Sequence, residues 1–488
     1  MMKKRKLLFL LPLAVFIGCE YKPTSGDEGV SKMEEVDFSQ FYVIGGTYSS
    51  GFMDGALYNG GQQFSFPNLF SERLNEIYGE DKFVQAEVES ELGLNQEDPS
   101  SGKFLIDYPE LNTLYPLRSA KGNAELSDWE GSNADLNDYS FPFLSIYEVN
   151  DPSLLANNRY YNRVSDLSGS LVDEVIQKQP TAVILDLGMD DILQYALNGA
   201  SGTEFPNLGT ITKEDIIQVS DYRSEMETIV NRLLNETNAD VFIVDTFDPL
   251  RAPFFNTIGW VLELEIYDRD YIFNATDFWE DFNFLVYQFN FVDEGGVPAS
   301  QRRPRINFDE DGFPGETSRA RVIFDNELSS DTLSNGTVLP KYRQLLDGEY
   351  VLYDNLPNLN IDSPLSATVA LADNQALTLK EMAIIRERSA SFNEVIQNIA
   401  SANTRINVIK RSEIVQSGFI EALFYDGVSY TADFSVYSIF STDGYTLNKR
   451  GNAFVANELI NILNDSTSSS IKLINPNLLE GNEIKTSF

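Results

Sequence analysis

The chain has 488 residues, a formal net charge of −38, one cysteine and no histidine. Without histidine it holds no Ser-His-Asp or Cys-His relay, no imidazole general base and no histidine-ligated zinc or iron site. Any hydrolytic chemistry must run on carboxylates, Lys, Tyr, Ser or Thr, and the excess of 74 Asp and Glu over 36 Lys and Arg opposes nucleic acid and anionic lipid surfaces.

The N-terminus sets the compartment. Lys3-Lys4-Arg5-Lys6 precede an apolar run from Leu7 to Gly18, which is followed by Cys19. A run of about 12 residues is too short to cross ~30 Å of hydrocarbon as a helix, so it reads as the core of an export signal. The ending Phe16-Ile17-Gly18-Cys19 resembles a lipobox, although Phe16 stands where leucine is commonest. The resemblance implies that residues 1–18 are a lipoprotein signal peptide and that Cys19 becomes the lipidated N-terminus. Losing residues 1–18 removes four positive charges and no negative ones, so lipid chains and not surface charge must hold the protein to a membrane. Residues 19–37 are polar, with Pro23, Gly26 and Gly29, as suits a tether.

Along the mature chain the first strand is Phe41-Tyr42-Val43-Ile44, which runs into the small-residue turn Gly45–Gly51. A helix follows from Pro67 to Tyr78, with apolar positions at Leu69, Phe70, Leu74 and Ile77. Residues 79–162 show no long periodic element and read as an insertion. Then come a helix over 167–178 and a strand, Ala182-Val183-Ile184-Leu185-Asp186-Leu187, whose unbroken apolar run suits burial on both faces. A long helix, 213–235, leads to the strand Val241-Phe242-Ile243-Val244-Asp245. After a second insertion, about 250–375, a helix over 377–402 precedes the strand Ile406-Asn407-Val408-Ile409, and the last helix spans 449–463. Residues 465–488 form a C-terminal tail. Strands separated by long helices argue for a parallel sheet covered on both faces, with the functional crevice beyond the C-terminal strand ends.

Three turns at those ends carry a family resemblance. The segment Gly45-Gly46-Thr47-Tyr48-Ser49-Ser50-Gly51 resembles the G-D-S-L block of the SGNH hydrolases. Leu187-Gly188-Met189-Asp190-Asp191 is similar to their G-x-N-D block, and Asp443-Gly444-Tyr445-Thr446-Leu447 to their D-G-x-H-P block. The chain is identified as a long lipoprotein-type member of that family, with the resemblance covering about residues 40–464. It implies a three-layer α/β/α, flavodoxin-like parallel sheet with large insertions, and one domain over 38–464.

Carried over position by position, the family's chemistry fails consistently. The nucleophilic serine falls on Thr47 and the aspartate before it on Gly46. The oxyanion asparagine falls on Asp190, where a carboxylate would repel the developing charge. The base histidine falls on Thr446, leaving only its partner Asp443, and the second-block glycine falls near Glu148. Removing a base or an oxyanion donor costs on the order of 10² or more in rate, and here several are replaced together. A carboxylate near pKa 4 would be a poor base for Thr47 without a large burial shift. The expectation is therefore a non-enzyme, in which these positions satisfy turn and cap hydrogen bonds.

Residues 254–291 carry 13 aromatics, among them Trp260, Phe278, Trp279 and Phe282, which read either as a docking surface or as a satellite core under the insertion. Asp309, Asp311 and Glu316 have the oxygen-rich spacing of a calcium loop without its full pattern, so Ca²⁺ is the one cofactor weighed and a solvated loop is the alternative. Together these features predict a non-catalytic lipoprotein of the outer membrane, facing the periplasm or the cell surface, that serves as a binding or assembly subunit of a β-barrel protein complex. The alternatives are a cell-envelope esterase or acetylhydrolase with an altered Thr/Asp site, and a lipid- or glycan-binding lipoprotein.

Overall fold

The computed structural model describes residues 36–79, 83–108, 117–164, 169–262, 269–308, 319–358, 366–467 and 469–486. Cys19, the signal segment, nearly all of the tether, and the calcium-loop residues Asp309, Asp311 and Glu316 lie outside the described residues.

Five strands form one parallel sheet: β1 (Phe41–Gly45), β2 (Asp138–Ser140), β3 (Ala182–Asp186), β4 (Asp240–Val244) and β5 (Ile406–Ile409). Their spatial order is β2-β1-β3-β4-β5, with every neighbouring pair parallel. That is the order of flavodoxin-like doubly wound sheets, in which the chain reverses direction across the sheet between β1 and β3 and leaves a crevice there. Every residue of β1 and β3 is buried, which is why both read as continuous apolar runs and not as alternating ones.

The framework helices are α1 (Phe66–Tyr78), α2 (Leu171–Gln177), α3 (Met189–Leu197), α4 (Val219–Glu236), α5 (Leu379–Ser401), α6 (Arg411–Ile420) and α7 (Lys449–Thr467). One face of the sheet carries α1 and α7, which pack on each other; the other carries α2, α4 and α5, with α4 touching both of the others. The starts are chemically marked. Ser65 accepts a bond from Asn68 N–H ahead of Pro67, and Ser170/Asp173 and Thr378/Glu381 form capping boxes. Between α4 and α5 the rings of Tyr222 and Phe392 stack at 3.8 Å.

Three expectations need correction. The stretch 79–162 is not wholly an insertion, because it contains β2, the edge strand of the main sheet. The sequence Asp138-Tyr139-Ser140 has no apolar run, and it pairs on one side only, with Val43, Ile44 and Gly45. The long helix begins at Val219 and not at 213, because Asp215 accepts from the Thr203 and Thr212 N–H groups and turns the chain there. Residues 465–488 are not a free tail either. Asn457 and Asn464 bind the backbone of Ile474 and Ile471, and Ile484–Thr486 pairs in parallel with Phe104–Tyr108 of the first insertion.

The second insertion has its own small core, centred on Leu262, Trp279, Phe282, Val286, Ile306, Phe308 and Val322. No helix among the described residues is long and apolar enough to cross a membrane.

Candidate functional site: a closed junction at the strand ends

Gly46 and Thr47 follow β1 directly, and Asp190 and Asp191 open α3 just after β3, so the β1/β3 crevice brings the first two motif blocks together. Thr47 is fully buried. Its N–H donates to Asp190 Oδ2 at 2.8 Å, and its hydroxyl oxygen accepts the Phe143 N–H at 2.8 Å. Gly46 is required by the same contact, since a Cβ there would lie 1.7 Å from Asp190 Oδ2. The Asp190 carboxylate fills the space that a side chain at 46 would need.

Asp190 stands in the first turn of α3, where backbone N–H groups favour an anion. Burial nevertheless wins. It pushes the carboxyl up to about 7, the hydrogen bonds from Thr47 pull it back only in part, and the charges of Asp186 and Asp191 push it further up. Asp190 Oδ1 has no hydrogen-bond partner. Asp191 is pushed up to about 7 by the same burial, eased by the Ile146 N–H and by Lys213. The large burial shift that a Thr47/carboxylate pair would need is therefore present. Access is not, because Thr47 and Asp190 are both buried.

The loop after β2 completes the wall. Glu148 is buried, accepts the Ser145 N–H at 2.8 Å and is ion-paired with Lys213; Asp191 Oδ2 accepts the Ile146 N–H at 3.1 Å. Phe143 has φ of +60°, a left-handed backbone rarely adopted by a bulky residue. It is held there by its N–H on Thr47 and by Lys213 Nζ, which donates to its carbonyl at 3.0 Å.

Asp443 and Thr446 form a separate knot. Asp443 accepts from the N–H groups of Gly55, Tyr445 and Thr446 and from the Thr446 hydroxyl, at 2.5–3.0 Å. Thr446 Oγ1 lies 2.9 Å from Ser441 Oγ. Burial raises Asp443 above the usual carboxylate range, and these four donors hold the rise back. Among the described residues no hydrogen bond joins this knot to Thr47. The first and third blocks meet instead through the Tyr48 hydroxyl, which donates to the Tyr445 carbonyl at 2.8 Å, and through Asp54, which accepts from Thr442 N–H and Oγ1. Asp443 and Thr446 are thus bound to each other and to the backbone of their own turn.

Motif reading missed one residue that dominates the crevice. Arg411, the first residue of α6, is buried beyond the ends of β3 and β4. It contacts both oxygens of Asp186 at 2.9 Å and donates to the Asp245 carbonyl at 3.2 Å, with its guanidinium 4.6 Å from the centre of the Tyr48 ring. A cation directly after an apolar strand was the available signal.

Beside the junction lies a cleft of about 280 Å³ between the loop after β2, residues 157–160 and α3, lined by Gln96, Pro142, Phe143, Asn157, Asn158, Arg159, Tyr160, Gln194 and Lys213. Among the described residues no group of three or more Asp, Glu or Cys side chains is placed to hold a metal ion.

The aromatic insertion divides by face. Trp279 and Phe282 are core residues, and the Trp279 indole N–H donates to the Ala367 carbonyl at 2.8 Å; Trp260 is half-buried against the main core. As binding candidates Trp279 and Phe282 are corrected, because burial removes them from the surface. Phe278 alone of the four is exposed, at 71%, and it is joined on the outer surface by Phe284, Tyr287 and Phe291, at 59%, 51% and 50%. The helix Glu280–Tyr287 and the turn Gln288–Val292 place Phe284, Tyr287 and Phe291 on the side away from Phe282, Val286 and Asn290, while Phe278 ends the preceding helix.

No known family model, no curated protein and no solved structure matches the chain.

Proposed function

We propose that this chain is a non-catalytic outer-membrane lipoprotein on an SGNH-hydrolase-like scaffold, acting as a binding or assembly subunit of a β-barrel protein complex. The observation that carries the non-catalytic half is the pairing of the degenerate positions with one another inside the fold. Thr47 is spent on Asp190 and Phe143, and Asp443 is spent on Gly55, Tyr445 and Thr446. A hydrolase needs these groups turned toward a substrate. The binding half is supported by the exposed aromatic row Phe278, Phe284, Tyr287 and Phe291, set on an insertion with its own core. Large aromatics dominate the energetics of protein interfaces. The lipobox-like Cys19 supplies the membrane link and the outer-membrane placement.

Affinity purification of the full-length protein from membranes in mild detergents tests the reading. A β-barrel protein should be recovered in stoichiometric amount, and its recovery should drop when Phe284, Tyr287 and Phe291 are changed to serine. Recovery of the lipoprotein alone in several mild detergents would overturn it.

One observation favours a second reading, an envelope esterase. Asp190 accepts the Thr47 backbone N–H, and burial pushes its carboxyl up to about 7, within the range of a general base. That reading requires the junction to open and predicts ester hydrolysis that Thr47→Ala abolishes.

A further inference from the structure

The cleft beside the closed junction differs in chemistry from the rest of this acidic molecule. Its lining contains no Asp or Glu, in a chain that carries 74 of them against 36 Lys and Arg. Two cations reach it, and they are not equivalent. Lys213 is already neutralised from behind by Glu148 and anchored on the Phe143 carbonyl and Ser145 Oγ. Arg159 is half-buried and has no carboxylate partner among the described residues. Its Nη2 donates to Gln96 Oε1 and to the Tyr160 hydroxyl, and its guanidinium lies 4.9 Å from the centre of the Tyr160 ring. Those neutral contacts use both Nη2 hydrogens and leave the charge unmatched, so that Nε–H and Nη1 remain to give a carboxylate a charge-assisted hydrogen bond.

The remaining walls say what the carboxylate is attached to. Gln96 Oε1 is taken by Arg159 and the Tyr160 hydroxyl, which leaves the Gln96 amide nitrogen and the exposed Asn157 amide at the rim for hydroxyl groups. Pro142 and Phe143 give an apolar floor. The cleft is built, not incidental: Asn158 braces it by accepting from the Tyr160 and Tyr161 N–H groups and donating to the Pro142 carbonyl, and the left-handed Phe143 forms its inner edge. A residue held in a costly backbone conformation by its neighbours is the pattern found at ligand sites. The volume, about 280 Å³, falls just below the roughly 300–1,000 Å³ range of ligand pockets, so only a small ligand suits it.

We propose that this cleft binds a monosaccharide-sized sugar acid, with its carboxylate held by Arg159, its hydroxyls by Gln96 and Asn157, and one ring face on Pro142 and Phe143. The inference deepens the binding-subunit reading and rests on it for its biological sense only; the chemistry of the cleft stands apart from it.

Calorimetric titration of the full-length protein with galacturonate, galacturonate methyl ester, galactose and inorganic phosphate tests the proposal. Galacturonate should bind, and the ester and galactose should bind at least about tenfold more weakly, because they lose the charge-assisted pair. Arg159→Gln should weaken galacturonate by about tenfold or more, while Arg386→Gln, at an exposed arginine elsewhere, should leave it unchanged. Thermal melting checks that the variants fold; if Arg159→Gln does not, the acid-against-ester comparison on the unaltered protein decides. Equal binding of acid and ester, phosphate binding as tightly as the sugar acid, or no binding at concentrations on the order of 10 mM would each overturn it. A missing barrel partner would leave these titrations untouched, and a failed titration would leave the complex untouched, so the two proposals fail separately.

Discussion

At position 46 a methyl group has nowhere to go while Asp190 keeps its place. Gly46→Ala should therefore destabilise the fold by about 1–3 kcal/mol, and Asp190→Ala in the same chain should return part of that loss. A double-mutant cycle from urea unfolding should show a coupling energy of about 0.5–3 kcal/mol; strict additivity would contradict the contact. Asp190→Asn probes the charge itself. Burial raises the carboxyl of Asp190 in the folded protein to about 7, from an ordinary value of 3.8. Its contribution to stability is thus fully present below about pH 4 and is lost as pH rises through 7. Asparagine does not titrate and keeps an oxygen for the Thr47 N–H, so the variant should gain on the wild type between pH 5 and pH 8, by at most about 1.4 kcal/mol for each step of one in pH. Unfolding at the two pH values measures this, and an equal difference at both would contradict it. At this scale the sequence located the motif-like positions and was uninformative about what each of them touches. Three motif positions could be read from Thr47, Asp190 and Thr446. That Asp190 fills the space beside Gly46 required the contact between them, and Arg411 belongs to no motif block.

The elements were legible in proportion to their apolar content. β1, β3, β4 and β5 are apolar runs lying in the sheet, and α1, α4, α5 and α7 carry helical periodicity, so their order was readable along the chain. β2 was not, because three residues with Asp138 and Ser140 at the ends give no hydrophobic period, and its place is fixed by pairing to β1 alone. Asp138 itself illustrates the point: it is buried and pushed up to about 7, and it accepts from Gln85 and Ser140, which compensate for its burial. In the second insertion the density of aromatics was plain, but its division into two faces was not. Composition cannot distinguish Phe278 from Trp279; the register of the helices does. Trp279→Ala should accordingly cost about 3–5 kcal/mol in unfolding free energy. Phe284→Ser and Phe291→Ser should stay within about 0.5 kcal/mol of wild type. Equal costs on both faces would mean that the outer row is packed and not presented.

For the molecule as a whole, the interior is rich in acids that burial holds in the neutral range. Asp138, Asp190, Asp191 and Glu381 are pushed up to about 7 and Asp245 to about 6, in each case by burial first. Asp98, Asp151, Asp173 and Glu480 are lowered, so their contribution is already present above their unfolded pKa and does not change between pH 5 and pH 8. The raised acids decide the sign in that window: stability falls as pH rises from 5 to 8, and Tm should fall with it. A flat or rising Tm over that range would contradict the burial of these acids. The same closure bears on the central claim, that a hydrolase-like crevice has been sealed by its own side chains. Turnover of an aryl acetate by the purified full-length protein, beside Thr47→Ala and from acid through neutral to mildly alkaline pH, tests that claim most directly. The account predicts that both proteins match the uncatalysed rate at every pH; hydrolysis by the wild type that Thr47→Ala abolishes and that rises with an apparent pKa near 7 would contradict it.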